Sequence, residues 1–516
     1  MPTGLAAADW IVLALYGLLL IVSSLWFSRR RPTDTEGYFL GSRRMPVWTV
    51  SLSVVATSLS AASFIGVPQS SYNGNLTYLA TNLGMIIAAI IVAVFFIPRF
   101  YAARVQTIYE LIGTRFGSSA GSASSAMFLV GRAMSAGARI YIGAIPASIV
   151  LFGDLEPHHL VAAIAVLGVV GITYTLVGGV ASVIWTDAIQ LVVLVGACVA
   201  AIFIIAGHIN APLAEVWSAL ATGGEGGSSK LRLLDPAITS TGFDFASQFS
   251  LPACIIGFAL LGIGSYGVDH DLVQRMLTCR SARKGAASAI AGILLVIPSV
   301  AIFLVVGLLL WVFYNRPDLT GLAHDAPQDT RRVFLSFIIE YMPPGLSGLM
   351  LAGLFAAGLS SLNSAINAMS SAFVNDHYRK LVRDRSERHY LFIGRLGVVA
   401  WGVLLSAFAC FCVYWQHSAE LAGKQTGLLD FALRVMTFAY AGLIAVFITA
   451  LFTRRGNSSS VIAALAVGFL AVLAMERMDL AFVWKLVIAT GAALVVCSVP
   501  RGTRPQARAQ TGTLVS

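Results

Sequence analysis

The chain has 516 residues, 57% of them hydrophobic and only 11% charged, with a net charge of +10 and a mean hydropathy of +0.82. A soluble protein of this length carries roughly a quarter charged residues, so a water-soluble enzyme is excluded. The basic residues stand in short clusters between apolar blocks and not along one face or in one tail, which argues against nucleic-acid binding. The blocks run about twenty residues or more, the length a helix needs to cross a bilayer. The chain reads as an all-α polytopic membrane protein.

About thirteen spanning helices are expected from hydropathy. Their limits are 9–28, 46–68, 74–98, 120–152, 158–179, 182–207, 247–270, 284–314, 344–376, 391–414, 427–453, 459–476 and 480–499. Met1 to Asp9 carries no basic residue, so the first run reads as a retained helix and not a cleaved signal peptide. Basic clusters fall at every second loop: Arg29, Arg30, Arg31, Arg43 and Arg44; Arg99, Arg104 and Arg115; Arg280, Arg283 and Lys284; Arg379 to Arg388; Arg454 and Arg455; and Arg501, Arg504 and Arg508. The opposite loops are poor, with Lys230, Arg232, Arg316, Arg331, Arg332, Lys424 and Arg477. By the positive-inside rule the N-terminus is outside and the C-terminus cytoplasmic, as in a multi-pass protein of a bacterial inner membrane.

The expected division is a first helix and cytoplasmic loop over 1–45, a five-helix group over 46–207 and an outer loop over 208–246. A second five-helix group follows over 247–453, then two helices over 454–500 and a disordered cytoplasmic tail over 501–516. Five spans in each group give the two groups opposite topology, the pattern of transporters that bind solute at the midplane between broken helices. A short amphipathic helix is expected near Arg331 to Tyr341. The tail is too short for a signalling domain. Six cysteines without zinc-ligand spacing read as reduced packing residues.

The second span is dense in hydroxyls, with Ser51, Ser53, Thr57, Ser58, Ser60 and Ser63, and has no charge. Local unwinding there would free carbonyls that need a partner; the alternative is a seam of small residues between helices. The ninth span carries Ala357, Ser360, Ser361 and Ser364 at i, i+3, i+4, i+7, on one face. Hydroxyls on that face and carbonyls of the second span would make an oxygen cage, which suits a small hard cation. Sodium needs no ionisable group there, whereas proton coupling ordinarily does. Asp187 is an intramembrane carboxylate, read either as functional or as the partner of a basic residue. Arg132 and Arg139, i and i+7 on the fourth span, suit an anionic or hydroxyl-rich solute or a buried ion pair. Asp430 and Arg434, at i, i+4, form a local pair or a gate. Asp269, His270, Gln274 and Arg275 are expected to close the inner end of the seventh span as gate or anchor.

These segments resemble the sodium:solute symporter family over roughly residues 5 to 500. The resemblance rests on Gly37-Tyr38-Phe39-Leu40-Gly41, on Gly178 to Gln190, on Asp269-His270-Asp271-Leu272-Val273-Gln274-Arg275, and on Ser360-Ser361-Leu362-Asn363-Ser364 continuing to Asn375-Asp376-His377-Tyr378. It implies a leucine-transporter-type fold of two inverted five-helix repeats, with one helix before and two after. It implies a main sodium site from carbonyls of Ala56, Leu59 and Ala357 and hydroxyls of Ser360 and Ser361. A second sodium site, present in some members, would use Asp187, Ser361, Asn363 and Ser364, with Asn363 where a hydroxyl is usual.

For solute, the resemblance implies Ser58, Ser60, Ser63, Asn82 and Tyr266. Ala62 stands where the sodium–galactose branch has an acidic group. The arginine of the sialic-acid branch aligns with Ser135, one turn from Arg132 and Arg139. Arg139 itself is expected to meet solute, and Asp269, Asp430 and Arg434 to gate it. The resulting expectation is a monomeric, sodium-coupled symporter for a small polar solute such as a sugar, sialic acid or other organic anion. The rivals are a proton-coupled or uncoupled transporter on the same scaffold and a transporter-like receptor. No nucleophile, paired catalytic carboxylates or metal cluster in the sequence points to a membrane enzyme.

Overall fold

Inside a bilayer every backbone N–H and C=O has to be satisfied within the protein, and helices do this segment by segment. The computed structural model describes residues 5–27, 33–239, 242–421 and 428–499 and is built almost wholly of helices, with one short antiparallel pair of strands, Ile238–Thr239 and Gly242–Phe243. Among the described residues seven helices are long and apolar enough to span, two further pairs make bent spans, and four apolar helices are shorter, a set consistent with the thirteen spans expected. The expected amphipathic helix forms over Val333–Glu340. Arg29, Arg30, Arg31, Lys424 and the tail 501–516 lie outside the described residues.

The expected spans 158–179 and 182–207 form a single helical run, Pro157–Gly207, interrupted at Gly179. At about 1.5 Å per residue such a run would far exceed the hydrocarbon thickness, so the interruption divides it into two spans. Gly179 has φ 59° and ψ −171°, a conformation open to glycine, and an added Cβ would stand 2.7 Å from the Tyr38 carbonyl oxygen.

Two spans are broken. Val47–Ser58 and Ala61–Asn73 meet at 62°, and Ala253–Val268 and His270–Leu277 meet at 56°. The linking residues adopt nearly the same extended backbone, Leu59 at φ −91°, ψ 114° and Asp269 at φ −94°, ψ 114°. These positions begin the two five-span groups, as an inverted repeat requires. The second break corrects the sequence-based limit of 247–270. The span runs on to Leu277, and Asp269, His270, Gln274 and Arg275 are buried in and beyond the break instead of closing an inner end. Their polarity mimics a loop because hydropathy does not register charges that are paired inside the fold.

The first helix, Ala7–Phe27, is pinned by one carboxylate. Asp9, 2% exposed, accepts hydrogen bonds from the amides of Gly345 (2.7 Å) and Gly348 (2.8 Å) through Oδ1 and from Ala6 (2.9 Å) through Oδ2. Gly345 and Gly348 open the helix Leu346–Phe373, so the charge also faces the positive end of a helix dipole. That helix carries Ser360, Ser361 and Ser364. Asp9→Ala is expected to lower stability by about 2 kcal/mol, since buried hydrogen bonds to a charged group are worth roughly 1.5–3 kcal/mol. Thermal unfolding of the purified protein with and without the substitution measures this.

Candidate functional site

At the first break the amides that would close a continuous helix turn elsewhere. Ser60 N–H donates to Ser63 Oγ at 3.4 Å, and Ser63 N–H to the Ser60 carbonyl at 2.9 Å. In an unbroken helix those two amides would serve the carbonyls of Ala56 and Leu59. The hydroxyl-rich sequence supplies the replacement partner, so the break is written locally. The second broken helix meets the first through Tyr266, whose hydroxyl lies 2.9 Å from Ser58 Oγ. Helix Leu346–Phe373 meets it through Ser364 Oγ, 3.5 Å from Thr57 Oγ1.

The breaks border a cavity of about 100 Å³. Ser58, Ser60, Ser63, Asn82, Arg139 and Tyr266, all expected at the solute site, line it, as do Ala62 and Ser265. Gly84 lets the helix bearing Asn82 approach closely, for an added Cβ would strike the backbone of Cys254 and Ala259. The sequence reading missed Tyr440 and Thr81, which also line the cavity, and it left Arg132 between two roles. Ser135 is corrected: it is buried away from the lining, with its hydroxyl turned back to the Arg132 carbonyl at 3.4 Å. It lies on the helix bearing Arg132 and Arg139, and only the two long side chains reach the cavity. Arg139 has a single hydrogen bond among the described residues, to Met436 Sδ at 3.4 Å.

The residues expected around sodium lie where the first broken helix and Leu346–Phe373 meet. Ala56, Leu59, Ala357, Ser360 and Ser361 are all buried. Ser360 Oγ donates to Asp187 Oδ1 at 2.6 Å. Ser361 Oγ has no hydrogen-bond partner among the described residues. A buried hydroxyl left unsatisfied costs about 1–3 kcal/mol, so its environment is suited to an added ligand.

Asp187 has the basic partner that one reading expected. Its Oδ2 accepts from Ser53 Oγ at 2.6 Å and from Arg275 Nη2 at 3.2 Å. Arg275 Nη2 also contacts Ser364 Oγ, and its Nε donates to Ser53 Oγ at 2.8 Å. Two of the four residues expected at a second sodium site, Asp187 and Ser364, therefore contact the Arg275 guanidinium. Asn363 diverges: its Oδ1 faces Gly171, and it lines a separate apolar crevice of about 590 Å³ along the first helix. Asp269, expected as a gate, caps the inner half of the second broken helix, binds Arg132 at 2.9 Å and accepts from Tyr440 at 2.6 Å. Asp430 and Arg434 form a 3.5 Å local pair, and Arg434 reaches Glu476 at 2.7 Å. Both line a polar recess apart from the cavity between the two breaks.

The model of the family described as "Sodium:solute symporter family" matches residues 38–468. The chain belongs to the sodium:solute symporter family. It is a multi-pass membrane transporter that couples solute movement to sodium. This symporter is 27% identical to a sodium/sialic acid symporter of Proteus mirabilis over 90% of its own length and 89% of that protein. It is also 27% identical to a sodium/sialic acid symporter of Aliivibrio fischeri, over 95% and 92% of the two chains. A solved Na+-coupled sialic acid symporter, substrate-bound and outward-open, superposes with a TM-score of 0.80 at 25% identity, covering 95% of this chain and 97% of that one.

Breaking a buried ion pair by removing one partner costs about 3–5 kcal/mol, because the other charge is left uncompensated. Asp187→Ala in this symporter is expected to destabilise by that amount, and Asp187→Asn, which keeps an acceptor for Ser53, by less. Chemical unfolding of the two purified variants gives the order.

Proposed function

We propose that this symporter carries an acidic sugar of the sialic acid class, or a similarly hydroxylated small organic anion. The observation that carries the reading is Arg139. Its guanidinium lines the solute cavity with no carboxylate in ion-pair distance among the described residues. Around it are Ser58, Ser60, Ser63 and Asn82, which hydrogen-bond hydroxyls, and Tyr266. An arginine presents a planar fork suited to a carboxylate. The sialic acid symporters among its relatives support the same substrate class.

Sodium is held by the carbonyls of Ala56, Leu59 and Ala357 and the hydroxyls of Ser360 and Ser361. The ion enters from outside and joins the first broken helix to Leu346–Phe373. That junction holds the site ready for solute. At about 100 Å³ the cavity is below the roughly 300–1,000 Å³ of ligand pockets, so its walls part to admit solute. Solute binding then permits occlusion and inward opening, and sodium leaves as the two helices separate. Each charge moved down 100 mV supplies about 2.3 kcal/mol, a roughly 50-fold concentration ratio before the sodium gradient is counted. The protein works as a monomer in a bacterial inner membrane, N-terminus outside, and catalyses no covalent chemistry. Asp269, Asp430 and Arg434 stabilise closed states of the pathway. Five-helix repeats over 46–207 and 247–453 are the moving units.

Thermal stabilisation of the purified protein by N-acetylneuraminate, glucose, proline, pantothenate and iodide, each in sodium and in potassium, tests this. Stabilisation by N-acetylneuraminate is expected in sodium only. It is expected to fall at least tenfold in apparent affinity in Arg139→Ala and to vanish when Ser360→Ala and Ser361→Ala are combined. Stabilisation indifferent to sodium, or anion binding untouched by Arg139→Ala, contradicts the reading.

A further inference from the structure

One buried carboxylate is shared by two arginines from different parts of the fold. Asp271 lies two residues past the second break and is 1% exposed. Its Oδ2 stands 2.7 Å from Arg132 Nη2, and its Oδ1 accepts a 2.8 Å hydrogen bond from Arg275 Nη1. Arg132 is in the wall of the solute cavity. Arg275 reaches Asp187 with its other terminal nitrogen, and Asp187 accepts from Ser360 at 2.6 Å. An alternating chain of acid and base thus runs from the cavity wall to a hydroxyl assigned above to sodium.

We propose that Asp271 is a positioning residue that couples sodium to solute, by tying Arg132 at the solute cavity to the Arg275–Asp187–Ser360 group beside the ion. The proposal rests on the sodium site assigned under the proposed function. A cation on the Ser360 oxygen polarises its O–H and strengthens the bond it donates to Asp187. Asp187 then holds Arg275 less, and Arg275 turns more of its charge to Asp271. Asp271 in turn needs Arg132 less, which frees that guanidinium towards the cavity. Both Asp271 and Arg275 ride on one short rigid helix, His270–Leu277, so the shift moves the inner half of a broken span as a unit. Coupling between two bound ligands is reciprocal, so solute that engages Arg132 tightens sodium by the same route. A purely structural cluster would stabilise the fold and transmit nothing.

The test reads the cavity while only sodium is varied. Leu433 lines the cavity on the helix Leu428–Phe452, and Leu433→Cys gives a thiol whose alkylation by a methanethiosulfonate reagent is timed in sodium and in potassium. Binding of 22Na+ to the same purified protein is measured in parallel. Sodium is expected to change the alkylation rate by roughly fivefold or more, the lower end of ordinary coupling. Adding Asp271→Asn is expected to reduce that change to under about twofold while 22Na+ affinity stays within about threefold. If that variant does not fold, Arg275→Lys replaces it, since one ammonium cannot bridge Asp271 and Asp187 as the fork does. A full sodium response in either folded variant, or a parent whose alkylation ignores bound sodium, overturns the proposal. Absence of saturable 22Na+ binding in the parent would instead overturn the sodium site itself.

Discussion

Two helices are broken in mid-membrane, and the rest of the molecule answers that constraint. Each break withdraws backbone groups from the helical ladder where no lipid can satisfy them. At Leu59 and Ser60 the replacement comes from the serines of the segment itself. At Asp269 it comes from a carboxylate that caps the next helix and is itself neutralised by Arg132. Polar atoms are thereby gathered at one depth of an apolar protein, and that depth is where a small cation and a hydroxylated solute can be met.

The two breaks are handled with different chemistry. The first offers neutral oxygen, from carbonyls and from Ser360 and Ser361 across the interface, and such a set suits a dehydrated monovalent ion without titrating. The second is lined with formal charge: Asp269, Asp271 and Asp187 alternate with Arg132 and Arg275, all almost fully buried. Isolated, each of these charges would be prohibitive in the membrane; linked, they are held in one arrangement at a time. A cluster of this kind resists gradual deformation, which favours movement of whole helix segments over local softening.

Much of the fold was legible in the sequence because membrane spans obey simple length and charge rules. The Ser360-Ser361-Ser364 face and the hydroxyls of the second span each led to elements that meet in the structure. The misreadings share a cause. The stretch from Asp269 to Arg275 looks like a loop since its charges are compensated by Arg132 and Asp187, more than eighty residues away in sequence. The same blindness hid Asp271 and Tyr440, whose partners become visible only on folding. Ser135 was a matter of reach: an aligned position on the correct helix, but a side chain too short for the cavity. Asn363 shares the helix of Ser361 yet points to the first helix and its crevice, a direction that spacing alone does not distinguish from its neighbours.

The account depends most on sodium resting between the first broken helix and Leu346–Phe373. Equilibrium binding of 22Na+ to the purified protein, with Ser361→Ala as the comparison, examines that junction without any knowledge of the solute. Saturable binding that potassium does not displace, weakened at least roughly tenfold by loss of the Ser361 hydroxyl in a protein that otherwise unfolds normally, is the predicted result. Binding unchanged by Ser361→Ala would place the ion elsewhere and contradict the account.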